Sequence, residues 1–135
     1  MTYLLDTSAL LCHYRNQNGT KQIQSIFEDD TADILITSIT LTEFARRLHT
    51  LGANTHETSE IINAYRALFT NIIAIDEAIA LAATTIYLDS PQRIPIVDSL
   101  IAGAAKVNNA ILVHHDNHMS MIPPYLLAQH DLSQS

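Results

Sequence analysis

The sequence has a single cysteine, Cys12, in 135 residues. That excludes an intrachain disulfide framework and a cysteine-rich zinc site. There is no apolar span of 18 residues, so no transmembrane helix is expected. The first apolar run, Tyr3-Leu4-Leu5, is cut by Asp6 and no basic segment precedes it. A secretory leader is therefore not expected either, and the cytoplasm is the expected compartment. Cations are scarce: Arg15, Lys21, Arg46, Arg47, Arg66, Arg93 and Lys106 stand against fourteen acids, a net charge of −7. Nucleic-acid binders usually carry a basic footprint, and the overall balance counts against that class. Acids gathered around bound divalent cations would account for part of the excess, because the ions become the largest local charges. No repeat, low-complexity block or Pro/Gly-rich linker divides the chain. Its length, 47% apolar content and positive mean hydropathy suit one domain, residues 1–135, with its own core.

What is present is an alternation of short apolar runs with longer helical patterns, the mark of an α/β domain with a parallel sheet. Residues 2–5 read as a strand, 7–14 as a helix, 21–28 as a second helix and 34–37 as a second strand. Leu41, Phe44, Ala45 and Leu48 fall at i, i+3, i+4 and i+7 of a helix that Gly52 can end. A further helix runs through Ile61, Ile62, Tyr65, Leu68 and Phe69. A third strand is expected over 71–75, then a helix carrying Ile79, Ala82, Ala83 and Ile86. Beyond Pro91 and Pro95, Val97, Leu100, Ile101, Ala104 and Ala105 mark a helix with small residues suited to close approach to a sheet. Residues 110–114 form a fourth strand, and a short fifth is placed around 126–129. In open parallel sheets ligands bind outside the carboxyl ends of the strands.

Acids recur at those ends. Asp6 closes the first strand and could cap the next helix. A phosphatase-like nucleophile would want a second acid two residues on, and Ser8 stands there. Glu43 fits a capping box, Thr40-Leu41-Thr42-Glu43, and has Arg46 and Arg47 at i+3 and i+4 as pairing partners. Asp98 follows Ile94-Pro95-Ile96-Val97 and opens an Ala-rich helix, a semi-buried setting in which a carboxylate needs a partner or a shifted pKa. Asp116 ends the fourth strand and starts a turn. Asp76-Glu77 is an ordinary helix opening, and Asp76 reads as a cap that cannot reach the others if its strand lies at the sheet edge. Asp6, Glu43, Asp98 and Asp116 could converge on a hard divalent cation, which takes oxygen ligands and activates water for attack on phosphorus. Spacing permits that convergence without requiring it.

Four segments, in order along nearly the whole chain, resemble the PIN domain family, and specifically the VapC-type toxins of bacterial toxin–antitoxin pairs. They are Leu4-Leu5-Asp6-Thr7-Ser8-Ala9-Leu10, Ser38-Ile39-Thr40-Leu41-Thr42-Glu43-Phe44, Ile96-Val97-Asp98-Ser99-Leu100-Ile101-Ala102 and Leu112-Val113-His114-His115-Asp116. The resemblance implies a three-layer α/β/α sandwich around a mostly parallel sheet of four to five strands. It also implies Mg²⁺- or Mn²⁺-dependent ribonuclease activity, a homodimer and a cognate antitoxin. Asp6, Glu43, Asp98 and Asp116 would be the catalytic, metal-holding acids, leaving 5′-phosphate and 3′-hydroxyl ends on the cut RNA. Arg46 and Arg47 are candidate RNA contacts, although either could pair with Glu43 instead. Two positions depart from the family pattern. His114 replaces a small hydroxyl residue two before the fourth acid, and His118-Met119 replaces an Asp-Phe pair after it. The departures bear on metal preference and on what holds the fourth acid.

The turn His114-His115-Asp116-Asn117-His118 invites a zinc reading. Adjacent strand residues point to opposite faces, however, so His114 and His115 should not share an ion. The remaining ligands would have to come from His13, His49, His56 or His130, which no spacing brings together. A histidine lining the pocket mouth, with His118 a candidate RNA contact, is the expected role. Two other functions fit the pattern. A receiver-like signalling domain would use Asp76 as phosphoacceptor, but the chain lacks paired acids near the first strand and a Lys after the last. A PIN-like fold could also bind RNA or a protein without cutting.

Overall fold

The computed structural model describes residues 1–134. Five strands, β1 (Thr2–Leu5), β2 (Asp33–Thr37), β3 (Asn71–Ile73), β4 (Ile111–His114) and β5 (Gln129–Asp131), form one sheet in the order β3-β2-β1-β4-β5. Every pairing is parallel. The chain builds outward from β1 to β3 on one side, then returns to place β4 and β5 on the other. The strand order therefore reverses between β1 and β4, where an open α/β sheet leaves a crevice.

The sheet is covered on both faces, as parallel sheets require. Side chains alternate across each strand, so Leu4, Leu35 and Leu112 join one core and Leu5, Ile34, Ile36 and Val113 the other. The first core is closed by α5 (Glu77–Asp89) and α6 (Ile96–Val107) through Ile79, Ile86 and Ile101. The second is closed by α1 (Thr7–Tyr14), α2 (Thr20–Glu28), α3 (Ser38–Thr50) and α4 (Thr55–Arg66) through Leu10, Ile23, Phe44, Leu48 and Tyr65. This is the α/β/α sandwich expected from the sequence. A one-turn helix, α7 (Asn117–Ser120), and a final 3₁₀ turn (Leu132–Gln134) complete the described elements.

The small residues of α6 do what their size suggests. Gly103 lies so close to α5 that a Cβ there would sit 2.7 Å from the Ile79 carbonyl oxygen and 2.8 Å from the Ala83 nitrogen. Only glycine admits that backbone-to-backbone approach. Gly52, at φ 109°, sits just past the end of α3, in the left-handed conformation that glycine adopts without strain.

Several boundaries depart from the sequence reading; β3, expected over 71–75, ends at Ile73. α3 begins at Ser38, directly off β2, with Thr37 as N-cap accepting from the Thr40 N–H. Thr40 is thus inside the helix, and Glu43 lies in its second turn, where it cannot close a capping box with Thr40. A capping box does occur at α4, where Asn54 and Glu57 exchange hydrogen bonds. α4 ends at Arg66, short of Leu68 and Phe69. β5 falls at Gln129–Asp131 rather than around 126–129, because Leu126 and Leu127 turn into the core beside Ile122. No helix among the described residues is long and apolar enough to cross a membrane.

Candidate functional site

All four acids reach the crevice at the strand reversal. Asp6 leaves the end of β1, Asp116 the end of β4, Glu43 rises from α3 and Asp98 from the first turn of α6; all four line one cavity of about 150 Å³. Asp76 does not line it. It caps α5 by accepting from the Ile79 N–H, three residues beyond β3, an edge strand. A receiver-like phosphoacceptor would have to sit beside β1, and β2 stands between them.

The acids are held in different ways. Asp6 is 2% exposed, and its Oδ1 accepts from the Ser8 hydroxyl (2.6 Å) and the Ala9 N–H (2.9 Å), capping α1. Ser8 also accepts from the His115 N–H (2.8 Å), joining the ends of β1 and β4 across 107 residues of chain. Glu43 accepts from the Thr7 hydroxyl at 2.8 Å. Asp116 caps α7 through Oδ1, which accepts from the His118 N–H at 2.8 Å. Asp98 caps nothing, since Pro95 occupies the N-cap of α6. No hydrogen bond to its carboxylate is formed within the described residues. In the sequence Ser8 stood out only as the residue where a second acid is missing, and Thr7 only as part of the first helix; the Thr7–Glu43 and Ser8–His115 contacts join residues far apart along the chain.

The site is electrostatically uncompensated. Burial pushes the Asp6 carboxyl up to about 7, helped by the charges of Asp116 and Asp98 and opposed by its two hydrogen bonds. Burial and the charges of Asp116 and Glu43 push Asp98 up to about 6, against a smaller opposing pull from His118. Arg46 and Arg47 line the same cavity, yet neither pairs with Glu43: the ion pairs among the described residues are His56–Glu60 and His118–Asp116. The salt bridges read from the i+3 and i+4 spacing do not form. Oxygen donors crowded to the point of retaining protons suit a divalent cation, which offsets their repulsion without needing a long flexible side chain.

His114 is not available to a metal. It is fully buried, its Nε2 lies 2.9 Å from Gln129 Oε1, and its Nδ1 accepts from the Asp116 N–H at 3.2 Å. These partners fix the Nε2–H tautomer, with Gln129 donating in turn to the Ile122 carbonyl at 2.7 Å. Burial lowers the His114 pKa, so the ring sits neutral and braces the turn that carries Asp116. His118 is the histidine at the mouth: with Asp98 and Asp116 it offers three ligand atoms within 4.8 Å of one another.

A second cavity, of about 550 Å³, adjoins the first through Ser8, Leu11, Arg47 and Asp116, and adds Arg15, His115 and His118. Three of the chain's seven Lys and Arg residues thus border the two cavities. His115 belongs to this border as one of the histidines expected near the pocket mouth, whereas Arg15 stood in the sequence only as one of seven cations, with nothing to connect it to the acids.

The architecture is shared with known proteins. The chain aligns over 97% of its length, and 98% of the other, with VapBC2 from Rickettsia felis bound to a promoter DNA fragment, at 19% identity and a TM-score of 0.77. VapBC-1 from nontypeable Haemophilus influenzae is similar over 98% and 99% at 19% identity and a TM-score of 0.76. FitAcB from Neisseria gonorrhoeae is similar over 100% of both chains at 22% identity and a TM-score of 0.74. At such identities the likeness is one of fold. No curated protein matches the chain in sequence. The family model described as PIN domain does match, over residues 3–123, a span containing β1 but for Thr2, all of β2 to β4, and all four acids. Because that match takes in four of the five strands, the reversal point between β1 and β4 and the carboxylates gathered there, the chain belongs to the PIN domain family.

Proposed function

We propose that this protein is a divalent-metal-dependent endoribonuclease that acts as the toxin of a toxin–antitoxin pair. The observation that carries the reading is the convergence of Asp6, Glu43, Asp98 and Asp116 on one cavity that also receives Arg46 and Arg47. Carboxylates alone would repel a phosphodiester, and arginines alone would only bind one. Together they suit a site in which phosphate and metal are held at once.

In this reading Asp98 and Asp116 are the direct metal ligands. Asp6 and Glu43, anchored by Ser8 and Thr7, supply negative potential and fix the walls of the site. When bound, Mg²⁺ or Mn²⁺ supplies a water of lowered pKa and neutralises charge developing on the phosphoryl group. Arg46 and Arg47 hold the non-bridging oxygens of the phosphate being cut. Arg15 and His115 border the adjoining cavity and receive the next phosphates of the strand. That placement answers the net charge of −7: the acids elsewhere lower total charge, and the cations needed for RNA are concentrated at the site.

The toxin–antitoxin assignment rests on the fold shared with the VapBC and FitAcB complexes, and on a Klebsiella pneumoniae toxin–antitoxin complex at a TM-score of 0.68. The partners implied are an antitoxin protein and a second copy of this chain. The test is cleavage of RNA by purified protein with Mg²⁺ or Mn²⁺, its loss with chelator, and its loss in Asp98→Asn, which keeps the shape and removes the charge. Equal cleavage by wild type and Asp98→Asn, after both are purified to constant activity, refutes the catalytic assignment. RNA binding without cleavage in either protein supports a binding fold instead.

A further inference from the structure

We propose that His118 is a metal ligand, completing with Asp98 and Asp116 a mixed nitrogen–oxygen site that takes Mn²⁺ in preference to Mg²⁺. The inference rests on the metal-dependent reading of the site and adds the identity of the ion.

Geometry comes first. One ligand atom from each of Asp98, Asp116 and His118 lies within 4.8 Å of the other two. Ligands at ~2.1 Å from a common octahedral ion stand about 3 Å apart when adjacent and about 4.2 Å when opposite, so small side-chain rotations close this set on one ion. The His118 Nδ1 is 3.4 Å from Asp116 Oδ1, with side chains 60% and 27% exposed. That distance is long for a charge-assisted hydrogen bond. The ring nitrogen is therefore beside the carboxylates and open to an arriving ion.

Availability separates His118 from its neighbours. Both His114 nitrogens are committed, to Gln129 and to the Asp116 N–H. Asp6 Oδ1 is held by two donors and Glu43 Oε1 by Thr7. Asp6, Glu43 and Asp116 each keep a second oxygen, but the ligand atoms that lie together are those of Asp98, Asp116 and His118. They come from the first turn of α6, the N-cap of α7 and α7 itself, so the ion would tie α7 to α6.

Chemistry then selects the ion. Mg²⁺ holds oxygen ligands and water tightly and gains little from imidazole. Along the first-row divalent series nitrogen donors are increasingly favoured, beginning at Mn²⁺. One imidazole among two carboxylates leaves room for waters and substrate phosphate while tilting affinity towards Mn²⁺.

The experiment uses the full chain and the metals alone. Isothermal titration with MnCl₂ and MgCl₂ is compared for wild type, His118→Asp and His118→Gln, and electron spin-echo modulation of the Mn²⁺-loaded proteins reads any coordinated nitrogen. Wild type should show imidazole nitrogen coupling, absent in both variants, and its Mn²⁺/Mg²⁺ affinity ratio should fall about tenfold in His118→Asp, where oxygen replaces nitrogen. An unchanged ratio, or nitrogen coupling that persists in His118→Gln, overturns the assignment; so does failure of wild type to bind Mn²⁺. Loss of Mn²⁺ binding and RNA cleavage in Asp98→Asn with an unchanged ratio in His118→Asp defeats this inference alone. Nitrogen-coupled Mn²⁺ binding without RNA cleavage under any condition supports the ligand and removes the nuclease reading.

Discussion

Replacing Asp6 with Asn should make the metal-free protein more stable at alkaline pH. Asp6 is 2% exposed, and burial, its largest perturbation, lifts its pKa from 3.8 to about 7. A carboxyl raised in the folded state binds more protons folded than unfolded. Its contribution is full below the unfolded pKa and is lost as pH rises through the folded one. The window therefore runs from about 4 to about 7. At ~1.4 kcal/mol per pKa unit, the ionised group costs the folded state roughly 4 kcal/mol by pH 8. Asn keeps an oxygen for the Ser8 hydroxyl and the Ala9 N–H, and it caps helices as well as Asp does. The comparison thus isolates the charge. Urea denaturation in chelator at several pH values from 4 to 8 should show wild-type stability falling with pH more steeply than that of Asp6→Asn. At pH 8 the variant should be ahead by about 2–4 kcal/mol, after allowance for relaxation around the site. Mn²⁺ should recover more stability in wild type than in the variant, because the cation offsets a charge that only wild type carries. Parallel pH profiles, or a variant less stable at pH 8, would refute the claim that Asp6 is a strained anion awaiting a cation.

Two further outcomes test the scaffold. Gly103→Ala should lower stability by about 1–3 kcal/mol, since its Cβ meets α5 backbone, which cannot swing aside as a side chain can; thermal or urea unfolding reads this, and a neutral result would mean that α5 and α6 can separate at no cost. His114→Leu keeps the bulk but orphans Gln129 Oε1 and the Asp116 N–H, a loss of about 1–3 kcal/mol. Its particular signature is faster hydrogen exchange at the Asp116 amide, and unchanged protection there would show that His114 does not brace the turn.

Much of this was legible in the sequence because strand ends and helix starts have strong local signals. The hydrophobic runs of β1, β2 and β4 and the Ala-rich pattern of α6 located Asp6, Asp116 and Asp98 to within a residue of their elements. β5 was harder: Gln-His-Asp has no apolar alternation, and the strand exists through backbone pairing to β4 at one edge. Glu43 was misread because Thr37 and Thr40 are equally good caps in isolation. The choice between them depends on β2 running into α3 without a loop. The alternative pairing of the arginines with Glu43 fails for a different reason. Helical spacing brings Arg46 and Arg47 near Glu43, but Thr7 from another helix already engages that carboxylate. The net charge of −7, too, says nothing of where cations stand.

Capping and site-building turn out not to be competing explanations. Asp6 and Asp116 each cap a helix through Oδ1, and among the described residues their second oxygens accept no hydrogen bond. The N-terminal amides hold the carboxylate in a single orientation and offset part of its charge. For Asp116 that would reduce the entropy a metal must otherwise overcome in ordering a ligand, and for Asp6 it fixes the wall behind that ligand. Asp76 has the same kind of cap, three residues beyond the end of β3. It stands at the edge of the sheet, where no second acid arrives. Asp98 shows the converse: it caps nothing, yet α6 carries it to the point where β1 and β4 part. Local chemistry makes a carboxylate rigid, and topology decides whether that rigidity is spent on a helix end or on an ion. The acids worth mutating first are therefore those at the reversal point, whatever their caps.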